Sequence, residues 1–275
     1  AIRLWSAKPR PAEILLGESA SIYPLSISPD GALLATGAWD GQARIWELDS
    51  GRQIAALPHQ GYVDAVAFAP DGRRLACGSA RGGLYLWDTH SAAALAHEAE
   101  FFATSIGYSP DGSRLAVGHG ALVRILAAST LEVQMEIDTE SASLTTLAWS
   151  GDGRWLATGT KKADLFLWDT RSGARIAHVK GSLGIDEGWK YLQSAAFSPD
   201  GTRLATGWGG AQLMIYSVPD LTLLCDLTGH AQQVFDLAWS PDGRRLASGG
   251  RDERLRLWNP DTGGLLLDVE AHEDY

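Results

Sequence analysis

The stretch Trp239–Trp258, WSPDGRRLASGGRDERLRLW, decides the fold. It reads as the end of one strand, a Ser-Pro-Asp-Gly turn at Ser240–Gly243, a short apolar run Leu246-Ala-Ser-Gly249, a second turn, and an apolar strand ending on Trp258. In such a turn proline presets φ for the first corner. Aspartate bonds back to the backbone, and glycine takes the positive φ that closes a hairpin. The stretch is therefore strand, turn and strand, and the aspartate serves the turn rather than a metal.

The same pattern recurs along the whole chain. The turn or a near copy begins at Ser28, Ala69, Ser109, Ser150, Ser198 and Ser240, at spacings of 41, 40, 41, 48 and 42 residues. Leu-Ala-X-Gly follows each copy, ending at Gly37, Gly78, Gly118, Gly159, Gly207 and Gly249. About nine residues later an apolar strand ends in a large residue: Trp46, Trp87, Leu126, Trp168, Tyr216 or Trp258. Trp5 lies 41 residues before Trp46, so the chain opens in the third strand of a unit. Runs such as Val63–Phe68, bounded by Gly, Pro, Asp or Ser, read as strands, and the sequence predicts no helix of three or more turns. Four antiparallel strands per period form a sheet too thin to bury both faces alone. Stacking successive sheets about an axis solves this, so the expectation is an all-β propeller.

Composition sets outer limits. The 275 residues are 45% hydrophobic and 20% charged, which excludes a disordered chain. A net charge of −10 repels phosphate backbones and anionic headgroups, so neither nucleic acid nor a membrane is an expected partner. The two cysteines, Cys77 and Cys225, stand 148 residues apart outside any CxxC and read as thiols in a reducing compartment. No apolar stretch is long enough to span a bilayer, and the expected location is cytoplasmic.

On these motifs the chain resembles the WD-repeat family, whose units run from Gly-His to Trp-Asp. Gly229-His230, Ser240–Gly243, Ser248, Asp252 and Trp258 match best. The resemblance implies that His230, Ser248, Asp252 and Trp258 form a structural hydrogen-bond tetrad. Other units depart from it. The first keeps Thr36, Asp40 and Trp46 but has Glu18 at the histidine position. The second keeps His59 and Trp87 but has Cys77 and Arg81, and Leu126 and Tyr216 replace tryptophan in the third and fifth. These units are expected to lean on apolar packing.

Counting strands gives six complete blades plus the last two strands of a seventh, 26 in all, within a single domain over residues 1–275. About 19 residues, one first-and-second-strand hairpin, are wanting between Trp258 and Trp5 around the ring. The expectation is a module excised from a longer polypeptide, with exposed edges beside the gap open to strand pairing.

No HExxH, CxxC, P-loop, GxSxG or GxGxxG signature is present, and the histidines show no metal spacing. The expectation is a non-enzyme with no cofactor or metal. Asp64, Asp186, Glu187, Asp236 and His272 are the candidates for an axial metal site, in which case the protein would be a propeller hydrolase or lyase.

In the family, partners dock on loops before the first strand and between the second and third. Those positions hold Tyr23, Trp39, Tyr62, Asp64, Phe102, Lys161, Trp189, Tyr191, Phe235 and Arg251, rich in aromatics that combine large area with a polar handle. Trp189 and Tyr191 sit in a longer loop, Gly181–Gln193, that suits recognition or packing equally. Trp208, late in a second strand, suits packing. The expected function is recognition or scaffolding of a protein or peptide, with an intramolecular sensor or lid for an attached effector as the alternative.

Overall fold

The computed structural model describes residues 2–4, 13–15, 22–140, 143–181 and 191–270. They form 26 β-strands, with no helix among the described residues, and thus none long and apolar enough to cross a membrane. Twenty-four strands make six four-stranded antiparallel blades spanning 22–58, 65–98, 105–138, 144–179, 192–227 and 234–270. Two further strands, Ile2–Leu4 (β1) and Glu13–Leu15 (β2), pair antiparallel with Arg3 opposite Ile14, as a two-stranded sheet of their own. The first blade contains Ile22–Ile27 (β3), Leu33–Ala38 (β4), Gln42–Glu47 (β5) and Gln53–Pro58 (β6), hydrogen-bonded in chain order.

The repeated tetrapeptide builds one turn in five blades. Ser28 Oγ donates to Asp30 Oδ1 at 2.6 Å and accepts from Leu33 N at 2.8 Å, while Asp30 accepts from Ala32 N. Gly31 closes the turn at φ 72°, a conformation that side chains with a Cβ rarely adopt. Copies at Ser109, Ser150, Ser198 and Ser240 repeat the serine–aspartate bond at 2.5–2.6 Å. That bond holds the carboxyls of Asp30, Asp152, Asp200 and Asp242 below the usual carboxylate range and Asp111 at about 2. In the second blade Ala69 stands in place of serine, and Asp71 keeps the backbone bond to Arg73 N.

The chain divides into two compact units, residues 1–119 with 125–133 and residues 120–124 with 134–275; the third blade contributes strands to both. Within each unit the packing rule is the same: one face of a blade meets the opposite face of the next. In the first unit Ala35, Ala43, Ile45 and Leu57 of blade 1 pack with Val63, Val66, Phe68, Leu75 and Trp87 of blade 2. In the second unit Ala205, Leu213, Ile215 and Leu227 of blade 5 pack with Val234, Leu237, Leu246 and Trp258 of blade 6. Full burial of one such aliphatic side chain stabilises by about 1.5–3 kcal/mol, as an upper estimate against a realistic unfolded chain.

The glycine of Leu-Ala-X-Gly sets the spacing of this stack. A Cβ added at Gly78 would lie 2.5 Å from Ala103 Cβ, and one at Gly207 would lie 2.9 Å from Val234 Cγ1. Only glycine lets the neighbouring first strand approach so closely. Between third and fourth strands the register slips beside the large terminal residue, at Ile45/Trp46, Leu167/Trp168, Ile215/Tyr216 and Leu257/Trp258.

Candidate functional site

The ionisable residues that look most like chemistry are engaged in holding the blades. In the sixth blade Trp258 Nε1 donates to Ser248 Oγ at 2.8 Å, and His230 Nε2 lies 2.7 Å from the same oxygen. His230 Nδ1 lies 2.9 Å from Asp252 Oδ1, and Asp252 also accepts from Ala231 N and from Arg256 Nη1 at 2.6 Å. The network calls for the tautomer in which Nδ1 donates to the carboxylate and Nε2 accepts the serine hydroxyl. Burial lowers the pKa of His230 and keeps it neutral. Burial pushes Asp252 upward, but the Arg256, Ala231 and His230 bonds outweigh it and hold the carboxyl at about 2. His230, Ser248, Asp252 and Trp258 therefore form one connected chain from a loop to two strands.

Blades 1, 2, 4 and 5 reach similar ends by different residues. Trp46 Nε1 donates to Thr36 Oγ1 at 3.0 Å, and Trp168 to Thr158 at 2.9 Å. In the fifth blade, where Tyr216 holds the tryptophan position, the buried Trp208 supplies the indole and donates to Thr206 Oγ1 at 2.9 Å. In the second blade Cys77 offers no hydroxyl, and Trp87 Nε1 donates directly to His59 Nε2 at 3.3 Å. His59 meets Tyr85 edge to face with centroids 4.6 Å apart, and Tyr85 stacks on His97 at 3.9 Å. Burial lowers His59 to about 4.

Sequence reading overlooked the arginine four residues after the aspartate. Arg256 is 5% exposed, and Arg44 repeats its role by binding Asp40 at 2.5 Å. The signal was available, since both arginines occupy the same place in the third strand. Arg256 Nη2 also reaches Asp268 at 3.3 Å, while its Nε is buried with no hydrogen-bond partner.

The residues expected to bind a partner fall into both units. In the first, Trp39 and Tyr62 are each 51% exposed and stack with centroids 5.5 Å apart at 27°. Trp39 follows the second strand of blade 1, and Tyr62 precedes the first strand of blade 2, so neighbouring blades build the pair. Phe102, 39% exposed, lies against His119 with centroids 5.4 Å apart. Asp64 accepts from Ala80 N at 2.7 Å, and burial raises its pKa. Tyr23 belongs to β3, but its side chain lies outside the described residues.

In the second unit Lys161 and Arg251 are exposed, while Tyr191 and Phe235 are half-buried. The buried Gln233 donates to Tyr191 Oη at 3.4 Å, and its carbonyl accepts from Arg251 N at 2.8 Å, which links these positions. Asp236 is exposed at the residue level, and desolvation of its carboxyl raises its pKa. It accepts from Ser194 Oγ at 3.2 Å. Trp189 and the axial candidates Asp186, Glu187 and His272 lie outside the described residues. Among the described residues no three His, Cys, Asp or Glu side chains converge as metal ligands.

Comparison with known proteins fits this architecture. The chain is 22% identical over 227 residues to eukaryotic translation initiation factor 3 subunit I of Bombyx mori, covering 80% of this chain and 57% of that one. It is 36% identical over 53 residues to the small ribosomal subunit protein RACK1 of Caenorhabditis elegans, covering 19% and 16%. It is 53% identical over 45 residues to the ribosome biogenesis protein ERB1 of Debaryomyces hansenii, covering 16% and 6%. The chain thus spans less than two thirds of the length of each. The model of the WD domain, G-beta repeat family matches residues 12–47, 51–88, 132–169 and 221–259, more than half of the sequence. This chain belongs to the WD-repeat β-propeller family.

Proposed function

We propose that the chain is a non-catalytic module that binds a protein or peptide through the loop face carrying Trp39, Tyr62, Asp64 and Phe102. The observation that carries this reading is the stacked Trp39–Tyr62 pair, half-exposed where Trp46, Trp87, Trp168, Trp208 and Trp258 are buried. Rigid aromatic pairs offer large contact area at small entropic cost, which is why they concentrate at binding hot spots. Relatives named as a ribosomal subunit protein and as a subunit of an initiation factor support an assembly role. The acidic net charge argues for a protein rather than a nucleic acid or membrane partner, in a cytoplasmic setting. Lys161, Tyr191, Phe235 and Arg251 belong to the same kind of surface in the second unit.

The chain acts as one domain in this reading, and β1 and β2 are the third and fourth strands of a further blade. Supporting this, the family match at 12–47 begins at β2 as those at 51–88, 132–169 and 221–259 begin at a fourth strand. The test of function is a Trp39→Ala, Tyr62→Ala double variant, assayed for both melting and capture of native partners. Lost capture with unchanged melting supports the reading; capture equal to the parent's contradicts it.

A further inference from the structure

The segments that carry Trp39 and Tyr62 are locked together by their backbones. On the blade 1 side, His59 N donates to Gly41 O at 2.8 Å and Val63 N to Ala38 O at 3.2 Å. On the blade 2 side, Asp64 N donates to Gly78 O at 2.8 Å, and Ala80 N donates back to Asp64 Oδ2 at 2.7 Å. Gly82 lets the two loops close, because a Cβ there would lie 1.7 Å from Gln60 O. All of these residues belong to the first compact unit. A partner therefore meets aromatics that are already ordered, and docking costs them little further entropy.

Charge around the pair selects the partner's chemistry. The segments of this unit at the same end of the blades, residues 38–42, 58–64, 79–83 and 98–104, carry Asp40, Asp64, Glu98 and Glu100 against Arg81. Asp40 is neutralised by Arg44, and the remainder is acidic. Glu98, Glu100 and Arg81 are exposed, and Asp64 is half-buried. Among the described residues only Ala80 N bonds the Asp64 carboxylate, at Oδ2, so Oδ1 is free to accept. Arg81 tempers the Asp64 charge from longer range than an ion pair. A docked partner withdraws Asp64 further from water. An acidic partner is repelled there, and a neutral one leaves the carboxylate uncompensated. A guanidinium meets both demands, because it is planar, stacks on aromatic faces, bonds a carboxylate in the same pose and is more weakly hydrated than an ammonium.

We infer that this surface receives an arginine-bearing segment of a protein partner, its guanidinium stacked on the Trp39–Tyr62 pair with Asp64 as counter-charge. The inference rests on the binding reading above and names the chemistry of the partner. Glu98 and Glu100 add a longer-range attraction that salt screens.

The probe is a phage-displayed library of random dodecapeptides, selected on the full chain and counter-selected on the Trp39→Ala, Tyr62→Ala double variant, so that only binders needing the pair are kept. The retained peptides are expected to share an arginine. Synthetic copies should lose at least tenfold in affinity when that arginine becomes citrulline, which keeps the shape and removes the charge, and at least threefold when it becomes lysine. Asp64→Asn keeps an acceptor for Ala80 N and should weaken the arginine peptide at least fivefold. Arg81→Glu, at an exposed side chain, should strengthen it at least threefold, a gain that a misfolded variant cannot produce. Retained peptides without arginine, or equal affinity of the arginine and citrulline forms, overturn this inference and leave the binding surface standing. Retention of no peptide that needs the pair overturns both.

Discussion

Trp39 and Tyr62, contributed by neighbouring blades, stack at 5.5 Å and 27° with half of each side chain in solvent. Trp46, seven residues on, is 1% exposed and hydrogen-bonded to Thr36. Replacing each with alanine separates surface from core. Trp39→Ala is expected to change stability by less than about 1 kcal/mol, and Trp46→Ala to cost about 3–5 kcal/mol. Chemical denaturation of both variants measures the contrast.

Ser248 is the branch point between Trp258 and His230. Ser248→Ala leaves the indole N–H and the imidazole Nε2 buried without their partner, at an expected cost of about 2 kcal/mol or more. Ser248→Thr keeps the hydroxyl and is expected to recover most of that loss, as threonine serves at Thr36 and Thr158. Comparing the two denaturation midpoints checks the role.

His59 and Asp252 are two of the groups that make the fold acid-sensitive. His59 is lowered from 6.5 to about 4 by burial, so the unfolded chain binds the proton more readily. Stability is undiminished above pH 6.5 and falls as pH drops from there to about 4, by roughly 3 kcal/mol at most. His59→Phe should flatten that window. Asp252, lowered from 3.8 to about 2, adds stability that is present above pH 3.8 and lost between there and about 2. Denaturant midpoints across pH 2–7 for the parent and His59→Phe give the test.

Gly207 and Gly249 occupy the same phase of the repeat in different surroundings. Gly207→Ala forces a Cβ against Val234 and should cost about 1–3 kcal/mol. Gly249→Ala meets open space and should be neutral, or stabilising by about 0.5 kcal/mol as strand entropy improves. Equal losses at both positions contradict the packing account.

The repeated turns were legible in sequence because their bonds are local: Ser28, Asp30, Gly31 and Leu33 settle their geometry among themselves. The chain from His230 to Trp258 came instead from the family resemblance, which assigns each member a fixed phase of the repeat. What escaped was substitution across phases. Trp208 takes over from an absent indole by reaching Thr206 on its own strand, and His59 accepts Trp87 directly where Cys77 cannot. Such exchanges depend on side-chain reach in three dimensions, and a positional match cannot register them. The exposure of Leu25 and Ile27 was likewise hidden, because as residues they resemble the buried Val66 and Phe68.

The most direct test of the binding reading is hydroxyl-radical footprinting of Trp39 and Tyr62 in the chain alone and in its native assembly, with Lys162 and Leu224 as exposed references. Oxidation of the aromatic pair is expected to fall at least fivefold in the assembly while the references stay unchanged. Equal oxidation of Trp39 and Tyr62 in both states would contradict a binding role for this surface.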